Sequence, residues 1–271
     1  MGYWTLDDIP WDRFDRSKLD LEIVRIVKAA SLVESNGGAY AHHLCRIFHD
    51  DPDFQEGARR WGREEIQHGE ALARWAEIAD PAFDFGAAFK RFQAGYRVDF
   101  DCDRSRRGSR SGEMIARCMV EVGTSSYYTA LHEAVEEPVL KEIGRHIAAD
   151  EIRHYKLFYG NLTRCLEREH VGFWTRLRVA AERIMESEDD ELAYAYYAAN
   201  EFERPYDRDY FRRAYARRAY ALCRPHHVAH GMTMIFKAVG LSPYGMLARA
   251  ATGLAWRVMR TRAARLARVA A

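Results

Sequence analysis

Two short segments of the chain carry the same pair of metal-binding groups. R-E-E-I-Q-H-G-E at 63–70 holds Glu65 and His68, and A-A-D-E-I-R-H-Y at 148–155 holds Glu151 and His154. A carboxylate and an imidazole three residues apart on a helix project from one face, where both can reach a single cation. Glu34 precedes Glu65 by 31 residues, and Glu121 precedes Glu151 by 30. Each of these two glutamates stands where the apolar periodicity of its segment calls for Leu or Ile. Four carboxylates buried without compensation would cost many kcal/mol or take up protons. Two divalent cations would neutralise them, and two neutral imidazoles would complete the donor set. Mixed oxygen and nitrogen donors favour iron or manganese over a thiolate-preferring metal. A lone Glu-x-x-His is commonly a solvated pair, and only its matched recurrence lifts the pattern above that reading.

The elements that must position these groups are helices. Periodicity of three and four residues dominates, and no succession of alternating strand segments is present. The spacing predicts a first helix over 17–49, with Ile23, Val27, Ala30, Glu34, Gly37, Gly38, Ala41, Cys45 and Phe48 along one face. D-D-P-D at 50–53 ends it, since Pro52 cannot continue a helix. A second helix is predicted over 53–79, followed by a connection that is partly helical to about 97 and polar to 112. A third runs over 111–136, and Pro138 opens a fourth that reaches 169. Shorter helices are expected over 173–187, 207–223, 226–239 and 244–270.

The halves repeat at an offset of 87 from Glu34 to Glu121 and 86 from Glu65 to Glu151. A duplicated helical hairpin joined by one long crossover matches the four-helix bundle of ferritin-like proteins. There, one Glu from each of two helices and Glu-x-x-His from each of the other two bind a pair of metals. The expected fold is therefore all-α: a ferritin-like bundle over 1–170 and a helical extension with a basic amphipathic end over 171–271.

Neighbours of the six donors suggest further roles. Metal-bound histidines normally donate their second N–H to a carboxylate, and Asp150 and Glu64 each precede a ligand Glu. Pseudo-symmetry would direct Asp150 to His68 and Glu64 to His154, the alternative being that both face solvent. Gly37 and Gly38 lie one turn beyond Glu34, and Gly123, Thr124, Ser125 and Ser126 follow Glu121. Glycine inside a helix costs about 1 kcal/mol relative to Ala. Space for a substrate pocket, lined by Gly37, Gly38, Gly123 and Ser125, would repay that cost; so would close helix packing.

I-A-A-D-E-I-R-H-Y at 147–155 and R-E-E-I-Q-H-G at 63–69 resemble the iron-binding helices of soluble acyl-acyl-carrier-protein desaturases, within the ferritin-like superfamily. The similarity extends to Glu121-Val122-Gly123-Thr124 and to Glu34 with Tyr40, and covers residues 20–165. It implies that Glu34, Glu65, His68, Glu121, Glu151 and His154 hold two irons that activate O2 to oxidise an unactivated C–H bond. It also implies Thr124 as the residue for proton delivery or oxygen positioning, and a separate ferredoxin-like electron donor. S-N-G-G at 35–38 departs from that family, and residues 170–271 have no counterpart in it. Those departures bear on desaturation more than on di-iron oxygen chemistry. Ferritin- or rubrerythrin-like iron oxidation or peroxide reduction is the alternative, and a non-catalytic helical binding protein is a third.

Composition sets outer bounds. The chain has 271 residues, 48% hydrophobic and 30% charged, with a formal net charge of +1, which excludes wholesale disorder. No apolar run approaches the roughly 18–20 residues that span a bilayer. The first residues mix tryptophans with acids and do not read as a signal peptide. Five cysteines without a C-x-x-C pair argue against a zinc ribbon or rubredoxin site and suggest a reducing cytoplasm. Near-neutrality conceals a division: residues 210–271 hold 12 basic residues and no acid, while every acid lies at or before Asp209. The basic end could dock on the chain's own acidic body, on an acyl carrier protein, or on an anionic membrane surface. No RNA-binding motif accompanies it, so nucleic acid is not an expected partner, and a homodimer stays open. In P-H-H-V-A-H-G, His226, His227 and His230 are expected to pack or cap rather than bind a metal, because the segment offers no acid or cysteine.

Overall fold

The computed structural model describes residues 3–96, 103–186 and 190–269. Cys102, the end of the polar crossover before 103 and the last residue of the helix expected over 173–187 lie outside them. Among the described residues the secondary structure is helical, with no strands. Three short 3-10 turns lead into α1 (Leu21–Glu34), α2 (Gly37–Ile47), α3 (Pro52–Ala79), α4 (Phe85–Gly95), α5 (Arg110–Ala134) and α6 (Pro138–Glu169). There follow α7 (Phe173–Met185), α8 (Asp190–Asn200), α9 (Arg208–Leu222), α10 (Pro225–Val239) and α11 (Met246–Val269).

Local chemistry sets these boundaries. Asp51 caps α3 by accepting from the Phe54 amide, and Ser109 caps α5 by accepting from the Gly112 amide. Glu137 does more. Its buried carboxylate accepts from the amides of Val139 and Leu140 at the start of α6, from Trp75 Nε1 at 2.7 Å and from the Asp15 amide. One side chain thus ties the α5–α6 turn, α3 and the N-terminal segment together.

The first helix differs from its expected span. It breaks directly after Glu34 into α1 and α2, through a tight turn in which the Asn36 amide bonds Val33 O and the Ala39 amide bonds Asn36 O. Ser35 Oγ back-bonds Ser31 O at 2.7 Å, competing with the helical ladder. The backbone of α3 also presses on this point, since a Cβ on Gly69 would lie 2.1 Å from Ser35 Oγ. Ser, Asn and two glycines in succession give little resistance to such a break. α8 was not foreseen; its alanines and tyrosines show no amphipathic stripe because most of its surface is covered.

Short connections make α2 and α3, and likewise α5 and α6, antiparallel neighbours. α1 and α2 pack on α3, α5 on α6, and α3 on α6. Two apolar clusters fill the interior. One gathers Leu32, Leu72, Trp75, Tyr128, Ile143 and Ile147, the other Leu44, Phe54, Trp61, Met119 and Phe158. Along α3 the order is Trp61, then Glu65 and His68, then Leu72. Along α6 it is Ile147, then Glu151 and His154, then Phe158. A polar layer therefore separates the clusters. The helices after residue 170 share these cores: Tyr196, Phe211 and Leu222 join the first, and Val179, Met234 and Val239 the second. No helix among the described residues is long and apolar enough to cross a membrane.

Candidate metal centre

Glu34 ends α1, Glu65 and His68 sit mid-way along α3, Glu121 on α5, and Glu151 and His154 on α6. All six are buried, with exposures between 0% and 8%. Their donor atoms fall into two overlapping sets, Glu34, Glu65, His68 and Glu151 in one, and Glu65, Glu121, Glu151 and His154 in the other. Within each set the donors lie within 4.8 Å of one another. Glu65 and Glu151 belong to both. His68 Nδ1 is 3.4 Å from Glu151 Oε1 and 3.8 Å from Glu34 Oε2. His154 Nδ1 is 2.9 Å from Glu65 Oε1 and 3.7 Å from Glu121 Oε2.

The outer nitrogens are held from behind. His68 Nε2 is 3.0 Å from Asp150 Oδ2, and His154 Nε2 is 2.8 Å from Glu64 Oε2. Asp150 Oδ2 also accepts from Trp4 Nε1 at 2.8 Å, and Arg153 bonds Asp150 and reaches Glu64 at 3.4 Å. Each carboxylate thus faces a ring N–H and leaves the inward Nδ1 with its lone pair free for ligation. Trp4 and Arg153 are contacts that sequence reasoning missed. Arg153 lies three residues after Asp150, a readable spacing; nothing in the sequence places Trp4 against a residue 146 positions away.

Two hydroxyls touch the donor set. Thr124 Oγ1 donates to Glu151 Oε2 at 2.5 Å, and Tyr128 donates its phenol to Glu34 Oε1 at 2.5 Å. Tyr128 was also unforeseen, although it follows Glu121 by seven residues and so shares its face of α5.

The donor atoms that remain are the test of fit. Glu65 Oε1, His68 Nδ1, Glu121 Oε1 and Oε2, Glu151 Oε1 and His154 Nδ1 are buried with no hydrogen-bond partner. Buried polar atoms are nearly always paired, so a cluster of orphans on the inner side of one layer demands a shared partner. Four carboxylates and two imidazoles fit a pair of divalent cations.

Proton affinities express the same demand. Burial pushes the Glu65 and Glu121 carboxyls well above their ordinary range, and the charge of neighbouring Glu151 adds to the shift in both. Burial acts against charge on Glu151 too, but the adjacent His154 and His68 imidazoles outweigh it and hold that carboxyl low. Burial likewise opposes charge on His68, yet its bond to Asp150 and the nearby Glu151 and Glu34 carboxylates raise it well above an ordinary imidazole. Burial acts the same way on His154, and its carboxylate partners likewise prevail. The layer draws positive charge from whatever source is present.

The small residues divide. A Cβ on Gly37 would lie 2.3 Å from Glu65 Cβ, and one on Gly38 would lie 3.3 Å from Ile66. Both glycines therefore serve the close approach of α2 to α3 and open no space there, which corrects the pocket expectation at these positions. Gly123 is exposed, with nothing within 4 Å of a Cβ, and Ser125 is fully buried with its hydroxyl on Val122 O. Tyr40 stacks beneath Arg117. His226 Nε2 and His227 Nε2 both meet Glu133, at 2.8 Å and 3.0 Å. The Arg224 amide donates to His227 Nδ1 at 3.0 Å. That bond commits Nδ1 as acceptor and Nε2 as donor, so neutral His227 caps α10 and has no lone pair left for a metal.

No protein-family model and no curated protein matches the chain.

Proposed function

We propose that the chain is an O2-dependent di-iron oxidoreductase with a ferritin-like bundle, acting on an organic substrate of the acyl-chain class. The observation that carries this reading is the buried polar layer. Six donor residues converge from the main helices, and inward atoms of five of them, Glu65, His68, Glu121, Glu151 and His154, have no hydrogen-bond partner among the described residues. Glu34 and His68 would hold one iron, Glu121 and His154 the other, and Glu65 and Glu151 would reach both; manganese suits the same donors. Bound in this way, the irons would supply the oxidising power for O2-driven attack on a C–H bond.

The chain's own groups have separable tasks. Asp150 and Glu64 fix the ring orientation of His68 and His154. Thr124, bonded to Glu151 and next to exposed Gly123, is placed to hold or pass a proton between solvent and the carboxylate layer. Tyr128 holds Glu34 in place through its phenol. The clusters on both sides exclude water from the layer. The chain carries no flavin, haem or cysteine-cluster motif, so electrons would come from a ferredoxin-like donor.

Ferritin- or rubrerythrin-like iron oxidation is the second reading, favoured by the closed packing of Gly37 and Gly38 on α3. Anaerobic loading with ferrous iron, followed by oxygen exposure and mass spectrometry of bound lipids, separates the two. Two irons per chain and an oxidised acyl product support the first. Iron turnover with peroxide and no organic product supports the second. A chain that binds no iron excludes both.

A further inference from the structure

The basic C-terminal part splits into two electrostatic classes. On α9, Arg217 and Arg218 both pair with Glu22 of α1 at 2.8 Å, and Arg212 reaches Asp209 at 3.5 Å. On α10, His226 and His227 share Glu133 of α5. The charge of Arg217 and Arg218 docks on the acidic body. α11 behaves differently. It contains no acid, and its Arg249, Arg257, Arg260, Arg265 and Arg268 are exposed and pair with no acid among the described residues.

α11 packs on α9 and α10. Its more covered side carries Ala248, Ala255, Trp256 and Met259. The opposite side is neither covered nor uniformly polar. Leu247, Leu254 and Val258 are 66%, 63% and 50% exposed. Spacings of seven and four place them in one stripe. Tyr244 and Met246, at 75% and 82% exposed, extend it beyond the first turn. Arg257, Arg260 and Arg268 run along one edge. A helix with one side docked, an outward aliphatic ridge and a row of arginines has the build of an interfacial helix.

We infer that α11 lies on an anionic lipid surface, its aliphatic ridge entering the acyl boundary and its arginines meeting lipid phosphates. The ridge is convex and single-helical, and its cations are spread along the whole helix. That suits a fluid, multiply charged surface more closely than the directed pairing of an acidic protein. The inference does not depend on the metal reading, although a bilayer would also bring an acyl substrate to the molecule.

The test is sedimentation of the full chain with phosphatidylcholine vesicles, with and without phosphatidylglycerol. Binding should favour the anionic vesicles at least tenfold and weaken as salt rises. Each arginine near such a surface contributes about fivefold, so Arg257→Gln/Arg260→Gln/Arg268→Gln should lose about a hundredfold at low salt. Leu247→Ser/Leu254→Ser/Val258→Ser should lose at least tenfold, because it removes the inserted ridge. Circular dichroism checks that each variant stays helical, and Arg249→Gln/Arg265→Gln replaces the first set if it does not. Glu151→Ala should bind vesicles as wild type does, which keeps this outcome separate from any failure of the metal reading. Equal binding to neutral vesicles, no loss in either variant set, or capture by purified acyl carrier protein without vesicle binding overturns the inference.

Discussion

Glu65 and Glu151 face each other from α3 and α6, and each belongs to both sets of converging donors. The remaining donors belong to one set only. This asymmetry predicts unequal consequences of mutation. Glu65→Ala and Glu151→Ala should lose both cations, whereas His68→Ala should lose the one beside Glu34 preferentially. Metal content measured after anaerobic loading distinguishes these patterns. Full two-metal occupancy in Glu151→Ala would contradict the assignment.

Asp150 accepts from Trp4 while facing His68 Nε2, so it fixes a ring from outside the donor set. Asp150→Asn keeps the volume and weakens that hold. Metal affinity should fall by about 10–100-fold, the usual effect of removing such a partner. Competition with a chelator measures it. Trp4→Phe, which leaves Asp150 and His68 in place, should have the smaller effect.

Gly37 sits where α2 and α3 touch, and a Cβ there would meet Glu65 Cβ at 2.3 Å. Gly37→Ala should therefore destabilise the fold by about 1–3 kcal/mol through overpacking. It should also weaken metal binding, because the atom displaced belongs to Glu65. Urea unfolding and metal titration of one sample read both effects. Gly123→Ala, which meets open space inside α5, should stabilise the fold by about 0.5–1 kcal/mol and leave metal binding unchanged.

Glu113 is buried on α5, 3.3 Å from Arg117 Nε, and accepts from Ser105 Oγ at 2.7 Å. Burial works against its charge, but Arg117 and Ser105 prevail and hold the carboxyl below its ordinary value of 4.5. The unfolded chain therefore takes up this proton first on acidification. The contribution is fully present above about pH 4.5 and is lost as pH falls through the lower folded value. Glu113→Gln should show a smaller loss of stability between pH 6 and pH 4 than wild type, measured by urea unfolding at each pH.

Much of the centre was legible because helical geometry is local. Glu65 with His68 and Glu151 with His154 share a face by spacing alone, and the offset of the two halves placed the pairs on matching helices. Turns and close contacts were harder to read. The break after Glu34 depends on how closely Gly69 brings α3 to Ser35, which is a tertiary fact. Gly37 and Gly38 could equally have marked space or contact, and only the position of Glu65 decided between them. α8 lacked periodicity because it is covered on most sides, and Trp4 reaches Asp150 across 146 positions, more than a whole hairpin repeat.

Interposing a dry band of acids between two greasy halves has a mechanical result. The halves meet across that band chiefly through α3, α5 and α6, which run through it. A cation pair that neutralised that band would also fasten the halves, and loading the centre would then be a step in maturation. A chain left unfilled should be cut by protease near the Glu34 break sooner than its loaded counterpart.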